Sequence, residues 1–274
     1  MNMISTKAPD IRWRVPVAPL KTVNPKFYRG IFGEFGDVVR ARIEEYRDSR
    51  NPERREKARF FEWLLNEIDA EQYGRLQEAH LRAPFNEFPY LKYLDPIIWF
   101  EHKLKLARKL GLHEGPRRRI LDIGSGPGHF LLVARFYGHD AIGTDLPDDG
   151  STADTDIGAE IERQRQGFFN AFGEVFRTSR IRHRVQSMQP LSMLPRGFDL
   201  VTAFSANFDH SPDWTADAWA FFLDELHRHV LTESGSVFMT LIRAQLRKEH
   251  WDYLGPRSRA GEAAVVWLTP TGRV

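Results

Sequence analysis

The residues best suited to chemistry lie between Arg119 and Phe130, in the run R-I-L-D-I-G-S-G-P-G-H-F. An apolar stretch containing Asp122 ends in glycines at alternate positions, Gly124, Gly126 and Gly128, with Ser125 and Pro127 between them. Glycine accepts positive φ and lets a ligand approach bare backbone. The apolar run Phe130 to Ala134 follows with helical character, so amides at its start face that ligand with the positive end of the helix dipole. A second acid, Asp145, closes the short strand-like run Ala141-Ile142-Gly143-Thr144 and precedes Leu146. A carboxylate at a strand tip can accept both hydroxyls of a ribose. A third group stands near residue 210. A free histidine side chain ionises close to neutral pH, a property that suits His210 to removal of a hydroxyl proton. Asp209 either orients it or is itself the base, and Asn207 is placed to meet an acceptor.

Positioning these groups requires alternating strands and helices. Arg119 onward reads as strand, glycine turn and first helical turn, and 141–145 as a second strand. Pro147 to Asp156 is an acidic, glycine-containing loop, followed by a helix carrying Ile157, Ile161, Phe168, Phe169, Phe172 and Phe176 inward. A third strand is expected over Ile181 to Met188 and a fourth over Phe198 to Phe204. The exit of the fourth, Ser205 to His210, falls at the carboxyl edge, where open α/β sheets bind ligands. A helix with Trp219, Phe222, Leu223, Leu226 and Val230 on one face leads to a fifth strand, Gly235 to Ile242. Ala263 to Leu268 is a sixth.

Ahead of this unit the chain reads differently. Residues 1–25 form a proline-rich arm, and Lys26 to about Leu112 is helical. Val39, Ile43 and Tyr46 share one face, as do Phe61, Leu64, Leu65 and Ile68, and then Ile97, Phe100, Leu104, Ala107 and Leu110, closed at Gly111. Glu53-Arg54-Arg55-Glu56-Lys57 reads as a solvent face. The division expected is a helical extension or cap, 1–115, and a ligand-binding domain, 116–274.

The glycine spacing decides the ligand. A dinucleotide fingerprint needs G-x-G-x-x-G, and His129 stands where its third glycine belongs. The pattern here, D-x-G-x-G-x-G followed by the acid at 145, resembles motif I of the class I S-adenosylmethionine-dependent methyltransferases. The resemblance covers residues 119–274 and implies a Rossmann-like α/β sheet with helices on both faces. It implies S-adenosylmethionine (SAM) as cofactor, held at Asp122, Gly124, Ser125, Gly126, Pro127 and Gly128, with Asp145 on the ribose, Leu146 on the adenine and Phe204 at the end of the fourth strand. Members usually present an acid or small polar group to the adenine amino group near the end of the third strand. This chain has no acid there, which leaves Ser187 and the backbone of Met188.

The preceding helices would cover the cleft, and Tyr90, Tyr93, Trp99 and His102 are their polar aromatics. Tyr93 and Trp99 are assigned to substrate. Where family members end in an antiparallel seventh strand, only Thr269 to Val274 remain, so that hairpin is expected to be short or missing.

The strand D-L-V-T-A-F, the histidine after it and the helix A-W-A-F-F-L-D-E-L also resemble a bacterial methyltransferase group linked to glycan modification. The expected reaction is methyl transfer to a small-molecule or glycan hydroxyl. An amine, RNA or protein acceptor, or a cofactor-binding protein without activity, are the competing readings. Ser-Ala-Asn-Phe is not the proline-containing motif of amino-methylating DNA enzymes, and no metal-ligand constellation is evident.

Composition narrows the setting. With Cys 0 there is no disulfide, thiolate zinc site or cysteine nucleophile, which fits a reducing, cytoplasmic compartment. Met1 to Leu20 lacks the apolar centre of a signal peptide, and no stretch reaches membrane-spanning length. The net charge is +2, but residues 1–118 carry 23 basic and 17 acidic side chains against 16 and 20 afterwards. That excess is modest and interspersed with acids, so a nucleic-acid partner is not expected.

Overall fold

A computed structural model describes residues 33–81, 91–146, 156–204, 214–240 and 265–268. Four helices come first: α1 (Phe35–Arg47), α2 (Pro52–Glu67), α3 (Ala70–Leu81) and α4 (Pro96–Lys109). Local chemistry sets their ends. The Asn51 side chain accepts the Glu53 amide ahead of Pro52, and buried Asp95 accepts the Ile97 and Ile98 amides ahead of Pro96. Gly111, at φ 67°, terminates α4.

There follow β1 (Arg119–Ile123), α5 (His129–Phe136), β2 (Asp140–Asp145), α6 (Asp156–Phe176), β3 (Arg180–Arg182), β4 (Phe198–Phe204), α7 (Ala216–Glu225), a π turn (Leu226–Val230), β5 (Leu231–Thr240) and β6 (Val265–Leu268). The sheet order is β3-β2-β1-β4-β5-β6, parallel except for β6, which runs antiparallel beside β5. This is the Rossmann-like α/β class expected. The order reverses between β1 and β4, the place at whose carboxyl edge open α/β sheets bind ligands.

Alternate side chains of the central strands enter two apolar layers. Ile120, Leu200 and Phe238 join α1 to α6 on one face. Leu121, Val201 and Val237 join α7 and the segment around Leu191 and Leu194 on the other. The spaced faces read from the sequence are buried, with Val39, Ile43, Tyr46, Phe61, Leu64, Ile68, Ile97, Phe100, Leu104, Ala107 and Leu110 all inside, and Phe60 joins them. No helix among the described residues is long and apolar enough to cross a membrane.

Four sequence expectations need correcting. The third strand stops at Arg182, because its partner β2 ends at Asp145, opposite Arg182, and offers residues 183–188 no ladder. The fifth strand begins at Leu231 rather than Gly235, and its pairing with β4 shifts register between Phe198 and Leu200. The strand read as a sixth is the antiparallel one, since an apolar run of Val-Val-Trp-Leu carries no mark of direction. Glu56 is no solvent residue: only 6% exposed, it pairs with Arg108 and accepts the Tyr137 hydroxyl at 2.9 Å. A buried carboxylate persists when such partners surround it.

Residues 1–32, including the arm, lie outside the described residues, as do Tyr90 and the loop 147–155. The same holds for the strand exit with Asn207, Asp209 and His210, and for residues 269–274. The side chains of Ile157 and Ile161 are likewise outside.

Candidate functional site

The glycine turn after β1 is built as the sequence implied. Gly124, Gly126 and Gly128 take φ of 66°, 54° and 93°. The Ser125 amide donates to Thr144 O at 2.9 Å and the Gly128 amide to Ser125 O at 3.1 Å, tying the turn to β2. That approach is close. A Cβ on Gly143 would lie 2.2 Å from Ser125 Oγ, so the strand beside the turn must carry glycine there. Pro127 is buried, and α5 starts directly after Gly128.

Asp145 meets this turn from the tip of β2. Its Oδ2 accepts the Gly126 amide at 2.7 Å, and its Oδ1 accepts the Leu146 amide at 2.8 Å and Gln166 Nε2 at 3.2 Å. Arg180 Nη1 donates to Gly126 O at 2.8 Å, so Gly126 is held through both its amide and its carbonyl. A carboxylate has about four lone-pair positions. With three filled, ribose hydroxyls would share the carboxylate or displace Gln166, the longest of the three.

A pocket of about 320 Å³ opens beside Asp145 and Leu146, lined also by Gln166, Asn170, Arg180 and Ile181. Sequence reasoning missed Gln166, Asn170 and Arg180. The readable sign was a polar stripe, Gln166 and Asn170 one turn apart, on a helix that buries Phe168, Phe169, Phe172 and Phe176.

Asp145→Asn tests the acid. The amide keeps the shape but sets an NH2 donor where the carboxylate accepts, so one neighbouring N–H and the ligand hydroxyls lose a charged acceptor. Such bonds are worth ~1.5–3 kcal/mol, and affinity for S-adenosylhomocysteine is expected to fall about ten- to a hundredfold by calorimetry. An unchanged dissociation constant would make Asp145 a turn residue only.

At the point of reversal, Asp122 is 2% exposed and accepts the Thr202 hydroxyl of β4 at 2.7 Å. Burial pushes its carboxyl up to about 7, against the opposing pull of the Lys103 ammonium and the Thr202 hydroxyl. Phe204 ends β4 beside it, edge-on to Phe130 at 4.6 Å. His129 faces α4 and α6, with the rings of Phe100 at 4.9 Å and Phe176 at 5.2 Å. Burial, helped by the Lys103 charge, pushes its basicity down to about 3, so it stays neutral.

Tyr93 and Trp99 pack with ring centroids 4.6 Å apart and planes tilted by 43°, and they border His129 at 6.2 and 6.3 Å. Tyr93 also meets Phe169, the residue nearest to a Cβ built on Gly126. Both aromatics thus lie beside the residues that flank the glycine turn, His129 and Phe169. His102 lies further out, exposed, with its ring 6.3 Å from Trp99.

Ser187 and Met188 are not carried on a strand. They occupy a turn beyond β3, with Met188 at φ 58° and 54% exposed. The backbone that does reach Asp145 from this side is that of His183, whose amide donates to Asp145 O at 2.9 Å.

No protein-family model matches the chain, and no curated protein matches it. Solved structures do. A TehB-like SAM-dependent methyltransferase from Corynebacterium glutamicum is 21% identical over 68% of this chain and 80% of its own, with a TM-score of 0.36. A ribosomal protein L11 methylase from Lactobacillus delbrueckii is 19% identical over 61% and 78%, with a TM-score of 0.34. SAM-bound CalS10, an amino pentose methyltransferase from Micromonospora echinaspora, is 16% identical over 52% and 50%, with a TM-score of 0.33. The match to CalS10 thus spans half of that protein's length. At such identities and scores, the functional reading rests on the residues of the site.

Proposed function

We propose that this chain is a SAM-dependent methyltransferase acting on a hydroxyl of a small molecule or glycan. The observation carrying the reading is the meeting of Asp145 with the Gly126 amide, 2.7 Å apart, beside the sheet's point of reversal. A glycine turn with an acid on its flank suits a nucleoside joined to an amino acid. The space above the turn also fits such a group, since a Cβ on Gly126 would meet nothing nearer than the Phe169 ring at 3.8 Å. A dinucleotide is disfavoured by His129, which fills the third glycine position with a buried ring.

When bound, the cofactor supplies an electrophilic methyl group on a sulfonium. The protein's part is alignment and exclusion of water. In this reading residues 1–115 form the cap and supply Tyr93 and Trp99 to the acceptor, while residues 116–274 hold the cofactor. Asn207 binds the acceptor. His210 takes the hydroxyl proton as the oxygen gains the methyl group, with Asp209 orienting it or serving as base. The cysteine-free composition goes with a cytoplasmic site of action.

Calorimetry with S-adenosylhomocysteine and with NAD tests the cofactor. The expected result is binding of the first and none of the second, and preference for NAD would overturn the reading. Release of S-adenosylhomocysteine from SAM across a panel of sugars, phenols and RNA then identifies the acceptor class, and turnover with RNA alone would refute the hydroxyl small molecule.

A further inference from the structure

Both hydrogen bonds that hold Gly126 lead back to one helix. On α6, Gln166 and Asn170 stand one turn apart, and Gln166 Nε2 donates to Asp145 Oδ1 at 3.2 Å. Asp145 Oδ2 in turn accepts the Gly126 amide at 2.7 Å. From the carbonyl of the same residue the contacts return to α6. Arg180 Nη1 donates to Gly126 O at 2.8 Å, and its Nη2 donates to Asn170 Oδ1 at 3.1 Å and to the Phe169 carbonyl. The circuit therefore begins and ends on α6 and passes through residue 126 by its amide and its carbonyl. Its two arms carry opposite charges, the Asp145 carboxylate and the Arg180 guanidinium.

The helix is shaped to seat that guanidinium. Gly173 is buried inside α6, where glycine is a poorer helix former than alanine. A Cβ there would lie 2.8 Å from Arg180 Nη2 and 3.3 Å from its Cζ and Nε, so the fork occupies the place of the missing side chain. Gly167, in the same helix, has nothing within 4 Å of its Cβ position. The two glycines thus separate helix propensity from the seating of Arg180. A lysine would keep the charge but not the planar fork that spans acceptors on residues 126, 169 and 170.

We propose that Arg180 is a positioning residue for the cofactor: seated on Gly173, it fixes the Gly126 carbonyl so that the glycine turn and Asp145 are in place before the nucleoside arrives. The inference rests on the SAM reading given under Proposed function. Groups held in their binding geometry beforehand lose no freedom on binding, and affinity gains accordingly. If ribose hydroxyls displace Gln166 from Asp145, the Gln166 arm opens, and the Arg180 arm is the one that still ties the turn to α6.

Calorimetry with S-adenosylhomocysteine on Gly173→Ala and Gly167→Ala, with a melting curve for each, tests the seat. Both changes favour the helix alike, but only the first moves the guanidinium. Gly167→Ala is expected to keep its affinity within about twofold, and Gly173→Ala to lose about tenfold or more, the range for losing one charged hydrogen bond. Arg180→Met and Asp145→Asn, singly and together, give a readout that a packing role would not move. Because both side chains act on residue 126, the double variant should lose less than the product of the single losses, whereas independent effects multiply. Gly173→Ala behaving like Gly167→Ala, or single losses that multiply, would overturn the inference and leave Arg180 as a link between α6 and β3 alone. Should Arg180→Met not fold, the two glycine variants decide the question by themselves. If the unaltered protein does not bind S-adenosylhomocysteine, the cofactor reading fails and this inference with it, which is seen before any variant is made.

Discussion

Gly126→Leu is expected to abolish binding of S-adenosylhomocysteine in a protein that remains folded. Gly126 sits at φ 54°, in the left-handed region, where a side chain costs about 1–2 kcal/mol. No clash adds to this, because the new Cβ would meet only the Phe169 ring, at 3.8 Å. Against a typical stability of roughly 5–15 kcal/mol, the loss is tolerable. The rest of the leucine has one place to go, the open space over the turn, which is where the cofactor's middle would lie. The amide and carbonyl of residue 126 are also the groups held by Asp145 and Arg180, so any shift of the turn misplaces the ribose acceptor as well. Thermal melting and calorimetry on one preparation separate the two effects. Retained affinity would show that the glycine turn does not cradle the ligand. Gly126→Ala, with the same backbone cost and far less volume, should keep a measurable part of the affinity.

His210→Ala is expected to lower turnover about a hundredfold or more, the usual range for removing a general base, with S-adenosylhomocysteine affinity nearly unchanged. The argument is chemical. A hydroxyl acceptor must lose its proton as the methyl group arrives, and an imidazole ionising near pH ~6.5 holds the right form at neutral pH. The rate should therefore fall as pH drops through that ionisation in the unaltered protein, and the limb should vanish in the variant. A loop-packing role gives the opposite pattern, a lower melting temperature with activity and pH profile retained. Asp209→Asn provides the companion measurement. If Asp209 only orients the imidazole, the histidine limb persists at reduced rate; if Asp209 is the base, its loss resembles that expected for His210→Ala.

Much of the cofactor half of the site was legible because its elements are local. Asp122 to His129 form strand, turn and helix within a few residues, and glycine adopts the three positive φ values found there without strain. The strand ending at Asp145 follows one helix later, and a right-handed return to the neighbouring position in the sheet is nearly obligatory for such a unit. Apolar spacing likewise determined the inner faces of α1, α2 and α4, since a helix repeats every 3.6 residues whatever it packs against.

What the tertiary structure alone decided concerns pairs distant in sequence. Glu56 read as a solvent charge because periodicity records apolar positions and not partners; its burial depends on Arg108, 52 residues away, and Tyr137, 81 away. The direction of β6 depends on how the chain returns to β5, which an apolar tetrapeptide does not encode. Gln166 and Arg180 came to the turn only when α6 and β3 were docked beside β2. Lys103 belongs to a different helix from the one that opens at the turn, and nothing in its neighbours marks it. The sequence by itself therefore determined the turn, its acid and the helical faces, through local conformational preference. The meeting of β1 with β4, and the Lys103 cation over Phe204 at its edge, were decided by the order of the strands in the sheet.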